Sequence, residues 1–407
     1  MRALHNLFDR LRPRFEGRER NTAYRGFFQL LDRFLYSSAN ATVSAPHLRD
    51  ANNVQRLMNN FVLASIPCWL IGLWNLGEQT NFAMAQLGLT EASGWRGAIM
   101  AAFGVGYNPQ DLIACFFHGF LYFLPVFIVA LLTGAFWESL FAQQRRRPVD
   151  EGLLCFAWLF ALVMPATVPF YAVVLGMTFA IVVGKGIYGG TGRYIVSPIV
   201  LGFAFLLFSF PDLFLGVGAW IPVAGYDEPT TIELAVEEGG VAALRAVDYR
   251  WVQVFIGNQP GPIGATSILG CLLGAVFLIF TGTISWRIVA GSLIGMVSIT
   301  LMFNGLGPED NPMFHVPWYW HLVIGGWAFA TVFVATDPVA TATTNPGRWC
   351  FGLLVGVLSI IVRVTNPSFF QGAVFAILLA SVFSPLFDYF VIERNIKRRA
   401  ERTGSST

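Results

Sequence analysis

The chain has 407 residues, of which 55% are hydrophobic and 12% are charged, and its mean hydropathy is +0.59. Soluble domains carry about twice that share of charged residues, so the composition excludes a soluble globular protein. The formal net charge of only +2 does not favour a nucleic-acid-binding protein. We therefore expect a polytopic membrane protein.

Apolar stretches long enough to cross about 30 Å of hydrocarbon as a helix recur along the chain and predict about ten transmembrane helices. They lie near residues 57–76, 112–141, 151–168, 169–185, 195–215, 263–281, 285–303, 319–336, 349–363 and 371–391. The fold class that this pattern predicts is an all-α polytopic membrane protein.

Basic residues are distributed unevenly between the connecting segments. A cytoplasmic N-terminus followed by about ten crossings leaves only Arg96, Arg245 and Arg250 clearly outside, with Arg363 at an outer helix end. The positive-inside rule therefore predicts a multi-pass protein of the inner (cytoplasmic) membrane with both termini in the cytoplasm. The N-terminal segment has no apolar core of the kind that a signal peptide needs, so we expect it to be retained.

These features divide the chain into two membrane repeats and three polar parts. A basic cytoplasmic arm covers residues 1–56, and a basic cytoplasmic tail covers residues 392–407. The first five-helix repeat, 57–216, and the second, 263–391, are separated by an extracytoplasmic loop, 217–262.

Glycine, proline and polar residues interrupt the apolar pattern in a first chain break, residues 186–198, and a second chain break, residues 336–352. Paired breaks at membrane depth point to a binding site. The sequence VPFYAVVLGMTFA at 168–180 aligns with VPWYWHLVIGGWAFA at 316–330. Because each half holds an odd number of spans, we expect inverted repeats whose broken segments meet around a shared axis.

Three carboxylates, Glu138, Asp337 and Asp388, lie inside or at the ends of predicted spans. Burial of a carboxylate in a membrane costs several kcal/mol, so each is a candidate partner for a cation, a proton or an arginine. The alternative is an end residue whose side chain reaches the headgroup region.

The sequence gives little support for a bound metal, a haem or an NADH site in this chain. The five cysteines are scattered singly, and we expect them to be buried packing residues. His118 and His321 stand alone on aromatic helices, which disfavours haem binding, and no dinucleotide fingerprint gives the chain an NADH site of its own. Electron transfer would need a bound organic cofactor, for which the 38 phenylalanines and 12 tryptophans offer stacking surface.

Several motifs together resemble one family over nearly the whole chain. They are HLRD (47–50), GAFWESLF (134–141), GGTGR (189–193), FIGNQPGPIG (255–264), ISWRI (284–288), FHVPWYWHLVIGGWAFA (314–330), ATDPV (335–339) and PLFDYFVIERNIKRR (385–399). The chain resembles the B subunit of the Na⁺-translocating NADH:quinone reductases, whose nearest relative is the D subunit of the Rnf complexes. The long basic arm favours the reductase branch over the Rnf branch.

The resemblance implies ten transmembrane helices in two inverted five-helix repeats. It also implies an FMN joined by a phosphoester to a threonine outside the membrane, a non-covalent riboflavin within it, quinone as substrate, and coupled Na⁺ movement. The implied partners are the other membrane and peripheral subunits of the Nqr complex, including an FMN-bearing subunit and a subunit with NADH, FAD and Fe–S sites.

The cofactor positions of the family are matched unevenly. The flavin threonine falls on Thr230, but the usual Ser-Gly-Ala context reads DEP (227–229), which places negative charge beside a phosphate. The sequence GAT (264–266) spells part of the same motif, but it opens a predicted span and we reject it as the flavin site. The riboflavin region falls on Tyr194 and Ser197, where the family has asparagines.

The resemblance also implies a quinone side and a Na⁺ pathway. The residues at the quinone side are Gly134, Phe136, Trp137 and Glu138. The acids connected with Na⁺ handling are Glu138, Asp337 and Asp388.

Two functions therefore remain open. The first is a membrane subunit of a sodium-translocating NADH:quinone oxidoreductase, which passes electrons through flavins to quinone and couples this to Na⁺ transport. The second keeps the fold without the covalent flavin, as a channel-like, transport or structural subunit, or as an Rnf-type D subunit. The changed surroundings of Thr230, with Tyr194 and Ser197, motivate the second.

Overall fold

A computed structural model describes residues 53–145, 152–215, 218–226, 228–237, 239–308, 311–366 and 371–404. Every regular element in these ranges is helical, so the predicted all-α fold class is confirmed. The basic arm predicted at 1–56 lies almost wholly outside the described residues.

The helices vary greatly in length. In chain order they are α1 (Val54–Gln86), α2 (Trp95–Ala102), α3 (Leu112–Arg145), α4 (Leu153–Val163), α5 (Phe170–Phe179), α6 (Pro198–Ser209), α7 (Asp212–Leu215), α8 (Thr231–Glu237), α9 (Val241–Ala246), α10 (Trp251–Ile256), α11 (Ile268–Phe280), α12 (Trp286–Leu306), α13 (Trp318–Val323), α14 (Trp327–Phe329), α15 (Asn345–Thr365) and α16 (Gly372–Gly404). Two π-helices, Ala180–Gly186 and Ala330–Val334, continue α5 and α14, and a 3₁₀ turn covers Pro312–His315.

Within the described ranges, five helices are long and apolar enough to cross a membrane: α1, α3, α12, α15 and α16. Four shorter apolar helices, namely α4, α5 with its π-helix, α6 and α11, coincide with the third to sixth predicted spans. The predicted span at 319–336 is interrupted, because α13 ends at Val323 and α14 begins at Trp327. The chain is therefore a multi-pass membrane protein with broken helices.

Proline explains why the third span is short. α4 ends at Val163, and α5 begins only after Pro169, whose backbone is extended. The 11 residues of α4 span about 16 Å, roughly half of the hydrocarbon thickness. The prediction of one full span at 151–168 was wrong in length, because Pro165 and Pro169 end the helical hydrogen-bond ladder.

Two glycines interrupt the eighth segment. Gly325 and Gly326 have φ angles of 64° and 66°, a region that side chains with a Cβ rarely adopt. The guanidinium of Arg363 donates hydrogen bonds to the carbonyl oxygens of His321, at 3.0 Å, and Gly325, at 3.2 Å. Arg363 was expected at an outer helix end. It does lie in the last turn of α15, but it is fully buried because it binds carbonyl groups at this interruption.

The local sequence match has a structural counterpart. Pro169 and Pro317 each immediately precede a helix, and the last residues of the aligned stretches, Ala180 and Ala330, each begin a π-helix. In the predicted topology the matched segments are the fourth and the eighth crossings, so they would run in the same direction across the membrane. Inverted repeats pair segments an odd number of crossings apart. The match is therefore no evidence for inversion, and the inverted arrangement stays a prediction.

Glycines let the long helices approach one another closely. In the pair α12 and α15, a Cβ on Gly356 would lie 2.0 Å from the carbonyl oxygen of Ser292, and one on Gly295 would lie 2.5 Å from that of Leu353. Membrane helices associate largely through such close packing, since lipid is as apolar as the helix surfaces. The α12–α15 contact therefore depends on these positions remaining without side chains.

The cysteines follow the expectation with one exception. Cys68, Cys115, Cys155 and Cys271 are buried, and the sulfur atoms of Cys68 on α1 and Cys271 on α11 lie 3.7 Å apart. Cys350 is exposed on α15, so the prediction of a buried packing residue is wrong there. A thiol is small and weakly polar, which allows it to face an apolar environment at a helix surface.

Replacing Gly356 by Ala should destabilise the protein by about 1–3 kcal/mol or more, because the new methyl group would overlap a backbone oxygen that cannot move independently. Thermal unfolding of the detergent-solubilised protein measures the effect. Gly305 on α12 is the matched control, since a Cβ there meets no atom within 4 Å. Gly305→Ala should leave the Tm unchanged or raise it slightly. Equal effects of the two substitutions would contradict the close approach of α12 and α15.

Candidate functional site

The two chain breaks meet inside the protein. Tyr194, in the first chain break, donates its phenolic hydrogen to the carboxylate of Asp337, in the second, with the two oxygens at 2.9 and 3.0 Å. The backbone N–H of Val339 donates to Asp337 Oδ1 at 3.0 Å. Tyr194 and Asp337 are both buried. The expectation that the broken segments meet is confirmed by this contact.

Ser197 belongs to the same cluster. Its side chain is buried and faces the Asp337 carboxylate, although its hydroxyl lies outside hydrogen-bonding geometry. Tyr194 and Ser197, expected near riboflavin, are thus joined to Asp337, expected on a cation pathway. The cluster offers only oxygen atoms as ligands, which is the donor type that hard cations accept.

Glu138 has a buried cationic partner. It forms an ion pair with Lys185, which lies in the first π-helix, and both side chains are buried. The Lys185 ammonium also lies 5.3 Å from the centroid of the Phe156 ring. The sequence did not single out Lys185, because a lysine at a predicted helix end resembles an ordinary cytoplasmic charge. Its position directly before a chain break with four glycines is the feature of the sequence that could have identified it.

The four residues expected at the quinone side face different surroundings. Phe136 is 62% exposed on the surface of α3, whereas Glu138 faces the interior. Trp137 donates its indole N–H to a threonine hydroxyl of α5 at 2.9 Å. A Cβ on Gly134 would lie 2.4 Å from a leucine methyl group of α4, so Gly134 is a packing position. Of the four, only Phe136 is openly available to a ligand that approaches from lipid.

Asp388 holds the second chain break at the start of α15. Its carboxylate accepts hydrogen bonds from the backbone N–H and the hydroxyl of both Thr343 and Thr344, at 2.5–2.9 Å. Thr344 is in turn the N-cap of α15. A carboxylate has about four lone-pair sites, so these contacts use its accepting capacity. Asp388 therefore fits the role of a structural anchor for the start of α15 better than the expected role in Na⁺ handling.

Thr230 caps helix α8. Its backbone N–H and its hydroxyl both donate to Glu233 Oε2 at 2.7 Å, and the backbone N–H of Glu233 points back to the Thr230 hydroxyl at 3.4 Å. This reciprocal arrangement is a capping box, which satisfies N–H groups that the first turn of a helix leaves free. Thr230 is only 5% exposed. The hydroxyl expected to carry FMN is therefore already used for folding.

Glu228 lies two residues before Thr230 and is held by two tyrosines. It accepts hydrogen bonds from the hydroxyls of Tyr226 and Tyr249, each at 2.8 Å. Burial raises the pKa of both phenols, that of Tyr226 to about 12, and the Glu228 carboxylate adds to the shift. Both phenols therefore stay protonated donors at neutral pH. Asp227, the third acid near Thr230, lies outside the described residues.

A largely apolar cavity opens beside Thr230. Its walls include Phe203 on α6 and Phe329 on α14, and its volume is about 90 Å³. Thr266, from the rejected GAT sequence, lines the same cavity as Thr230. Aromatic walls with a few polar groups suit a flat ring system. Tyr194 and Ser197 do not line this space.

Gln259 joins the extracytoplasmic loop to the interrupted eighth segment. Its amide Nε2 donates to the carbonyl oxygens of Thr266, at 2.9 Å, and Val323, at 3.1 Å, and its Oε1 accepts from the hydroxyl of Thr231 at 2.6 Å. Val323 is the last residue of α13, and Thr231 follows the capping Thr230. Sequence reasoning treated Gln259 only as part of a motif. A polar amide within a proline- and glycine-rich stretch was the available signal.

These features define a class: a polytopic membrane protein with broken helices, in which the buried carboxylate of Asp337 joins the two chain breaks and an apolar cavity lies beside the extracytoplasmic loop. A family model described as the NQR2, RnfD, RnfE family matches residues 41–397. The chain belongs to this family.

Similar proteins are named as the B subunit of the Na(+)-translocating NADH-quinone reductase. One from Pseudomonas aeruginosa is 41% identical over 403 residues, covering 98% of this chain and 100% of its own length. Another from Azotobacter vinelandii is 41% identical over 399 residues, with 97% and 98% covered. A third from Chromohalobacter salexigens is 40% identical over 399 residues, with 98% and 96% covered. The similarity thus extends from end to end.

Replacing Tyr194 by Phe should lower stability by about 1–3 kcal/mol, because the buried Asp337 carboxylate loses a hydrogen-bond donor. The Tm of the detergent-solubilised protein measures the loss. Tyr188→Phe is the matched control, since Tyr188 lies in the same chain break and is 45% exposed. Its Tm should equal that of the wild type. A Tyr194→Phe variant as stable as the control would show that the bond to Asp337 contributes nothing.

Proposed function

We propose that this protein is the membrane subunit of a sodium-translocating NADH:quinone reductase and that it works in the inner membrane with the other subunits of that complex. The observation that carries this proposal is the end-to-end 41% identity to the relative from Pseudomonas aeruginosa. Another subunit of the complex must bind NADH, because this sequence has no dinucleotide fingerprint. Electrons then reach this chain from an FMN-bearing neighbour.

Glu138 and Asp337 are the residues that we propose for Na⁺ handling. Both are buried, and both lie at chain breaks or close to one, where irregular backbone can line a polar path. Tyr194 orients the Asp337 carboxylate by donating a hydrogen bond to it. Asp388 is not part of this Na⁺ path but supports it by fixing the start of α15.

Quinone reduction fits the exposed side of α3. Phe136 presents an aromatic face where lipid would lie, and its ring packs edge-on against Trp137 with centroids 5.3 Å apart. A lipid-soluble quinone can reach such a surface without crossing the protein. Trp137, fixed by its hydrogen bond to α5, then orients Phe136.

A non-covalent riboflavin would bind at the cavity between Phe203 and Phe329, whose walls are apolar and aromatic but would have to move apart from a volume of about 90 Å³. When bound there, it would supply one-electron transfer between the outer side and the quinone side. The two phenylalanine rings would hold its flat ring system, and Gln371 would offer a polar contact at the wall. Tyr194 and Ser197, which are buried against Asp337, are not placed to contact it.

A covalent FMN on Thr230 does not fit the residues present. The hydroxyl donates to the Glu233 carboxylate, so an ester at this oxygen would remove the donor and bring a phosphate next to that acid. Glu228 adds a second carboxylate nearby. We therefore derive no electron step through Thr230. This observation favours a reductase subunit that carries no covalent flavin on Thr230.

The proposed function predicts Na⁺-stimulated quinone reduction. The chain should be expressed with the remaining subunits of the complex, and NADH oxidation and Na⁺ uptake should be followed in membrane vesicles. Asp337→Asn should lose most of the Na⁺ stimulation, whereas Glu393→Gln, which changes an exposed acid of α16, should behave like the wild type. Na⁺ flux that needs no electron donor would favour a channel-like function instead.

The capping box predicts that Thr230 carries no flavin. Intact mass and in-gel fluorescence of the denatured chain, purified after co-expression with a flavin transferase, should show no adduct. Thr230→Ala should lower stability by about 1 kcal/mol through loss of the cap, and Thr230→Ser should retain the cap. An FMN adduct that disappears in Thr230→Ala would contradict this prediction.

A further inference from the structure

A row of buried contacts joins Glu138 to Asp337. Glu138 pairs with Lys185, the Lys185 ammonium lies 5.3 Å from the centre of the Phe156 ring, and that ring packs edge-on against Tyr194 with centroids 6.0 Å apart. Tyr194 then donates to Asp337. Contacts from separate parts of the chain thus connect the two candidate acids, and Lys185 is the cation between them.

Stability alone does not account for the buried Lys185–Glu138 pair. Desolvation of two charges consumes most of their attraction, and apolar replacements of such pairs are often neutral or stabilising. A residue of another helix also stabilises the π-helix that carries Lys185, Ala180–Gly186. The guanidinium of Arg145, at the end of α3, donates to the Gly186 carbonyl oxygen. π-Helical turns occur frequently at functional sites. Lys185 is therefore a candidate for a role in ion handling.

An ammonium group and Na⁺ are both monovalent cations that bind carboxylate oxygens. The ammonium of Lys185 contacts Glu138 and lies 5.3 Å from the centre of the Phe156 ring, which in turn packs against Tyr194, so it belongs to the row of contacts that leads from Glu138 to Asp337. The Phe156 ring provides a second, weaker resting place, since aromatic faces attract cations. Lys185 can thus leave Glu138 without losing every favourable contact.

We propose that Lys185 is a built-in competitor for Na⁺ at Glu138, and that Na⁺ reaches this carboxylate by displacing the ammonium toward the Phe156 ring. This inference rests on the proposed function. It assigns Lys185 a positioning role that sets how much Na⁺ the complex requires. It also gives Phe156 the role of separating the Glu138 site from the Tyr194–Asp337 pair.

The test measures the half-saturating Na⁺ concentration for quinone reduction by the assembled complex. Lys185→Gln keeps a hydrogen-bond donor but removes the competing charge, so the half-saturating concentration should fall about five- to tenfold, a factor common for coupled sites. Lys185→Arg keeps the charge and offers a two-pronged donor to Glu138, so the concentration should rise. Opposite shifts in these two variants are the signature of competition.

Lys397→Gln is the matched control, because Lys397 pairs with Glu393 at 2.8 Å but is 71% exposed. Its half-saturating concentration should equal that of the wild type. An unchanged value in Lys185→Gln, or the same shift in the control, would overturn the inference while leaving the proposed function intact. If Lys185→Gln fails to assemble, Lys185→Arg decides, and a wild-type value there overturns the inference. Absence of Na⁺ stimulation in the wild-type complex would overturn the proposed function as well.

Discussion

The hydrogen bonds between Tyr194 and Asp337 tie together the two chain breaks, where the backbone stops being helical. Such backbone has no water to bind, so other parts of the protein must satisfy it. Each interruption is therefore stabilised by a distant segment. Arg363 on α15 binds carbonyl groups of the eighth segment, and Asp388 on α16 binds the second chain break. The broken helices and the packing of the two halves depend on each other.

The same constraint separates structural charges from charges that are available for transport. Arg363 and Asp388 bind backbone groups at helix ends, and Asp388 uses its lone pairs in doing so. Glu138 is bound instead by a lysine side chain, and Asp337 by a tyrosine hydroxyl together with the backbone N–H of Val339. The lysine and tyrosine side chains can move to other rotamers. Burial of an ionisable group in a membrane is thus not sufficient evidence for transport, and the nature of its partner has to be considered as well.

Hydropathy predicted where the five long and four shorter apolar helices of the described residues lie, because that property depends only on local composition, while the count of about ten crossings stays a prediction. It gave the wrong length for α4, since Pro165 and Pro169 end a helix that hydropathy extends to residue 168. The pairing of Lys185 with Glu138, 47 positions apart in the chain, depends on tertiary packing and could not be predicted from either residue's neighbours. The capping box at Thr230 could have been predicted from the sequence, because the spacing Thr-x-x-Glu is its signature. The family motif covers only the residues before Thr230 and so does not reveal it.

Thr230 shows that a residue can be retained at a family position for a different physical reason. One hydroxyl oxygen cannot donate a hydrogen bond to Glu233 and also be the bridging atom of a phosphoester, because ester formation removes the hydrogen. Flavin attachment and the present cap of α8 therefore compete for a single atom. Since Gln259 links the neighbouring Thr231 to the end of α13, uncapping α8 would also disturb the wall of the cavity beside it. The cap of α8 is thus a sufficient physical reason for a threonine at this position without an attached flavin.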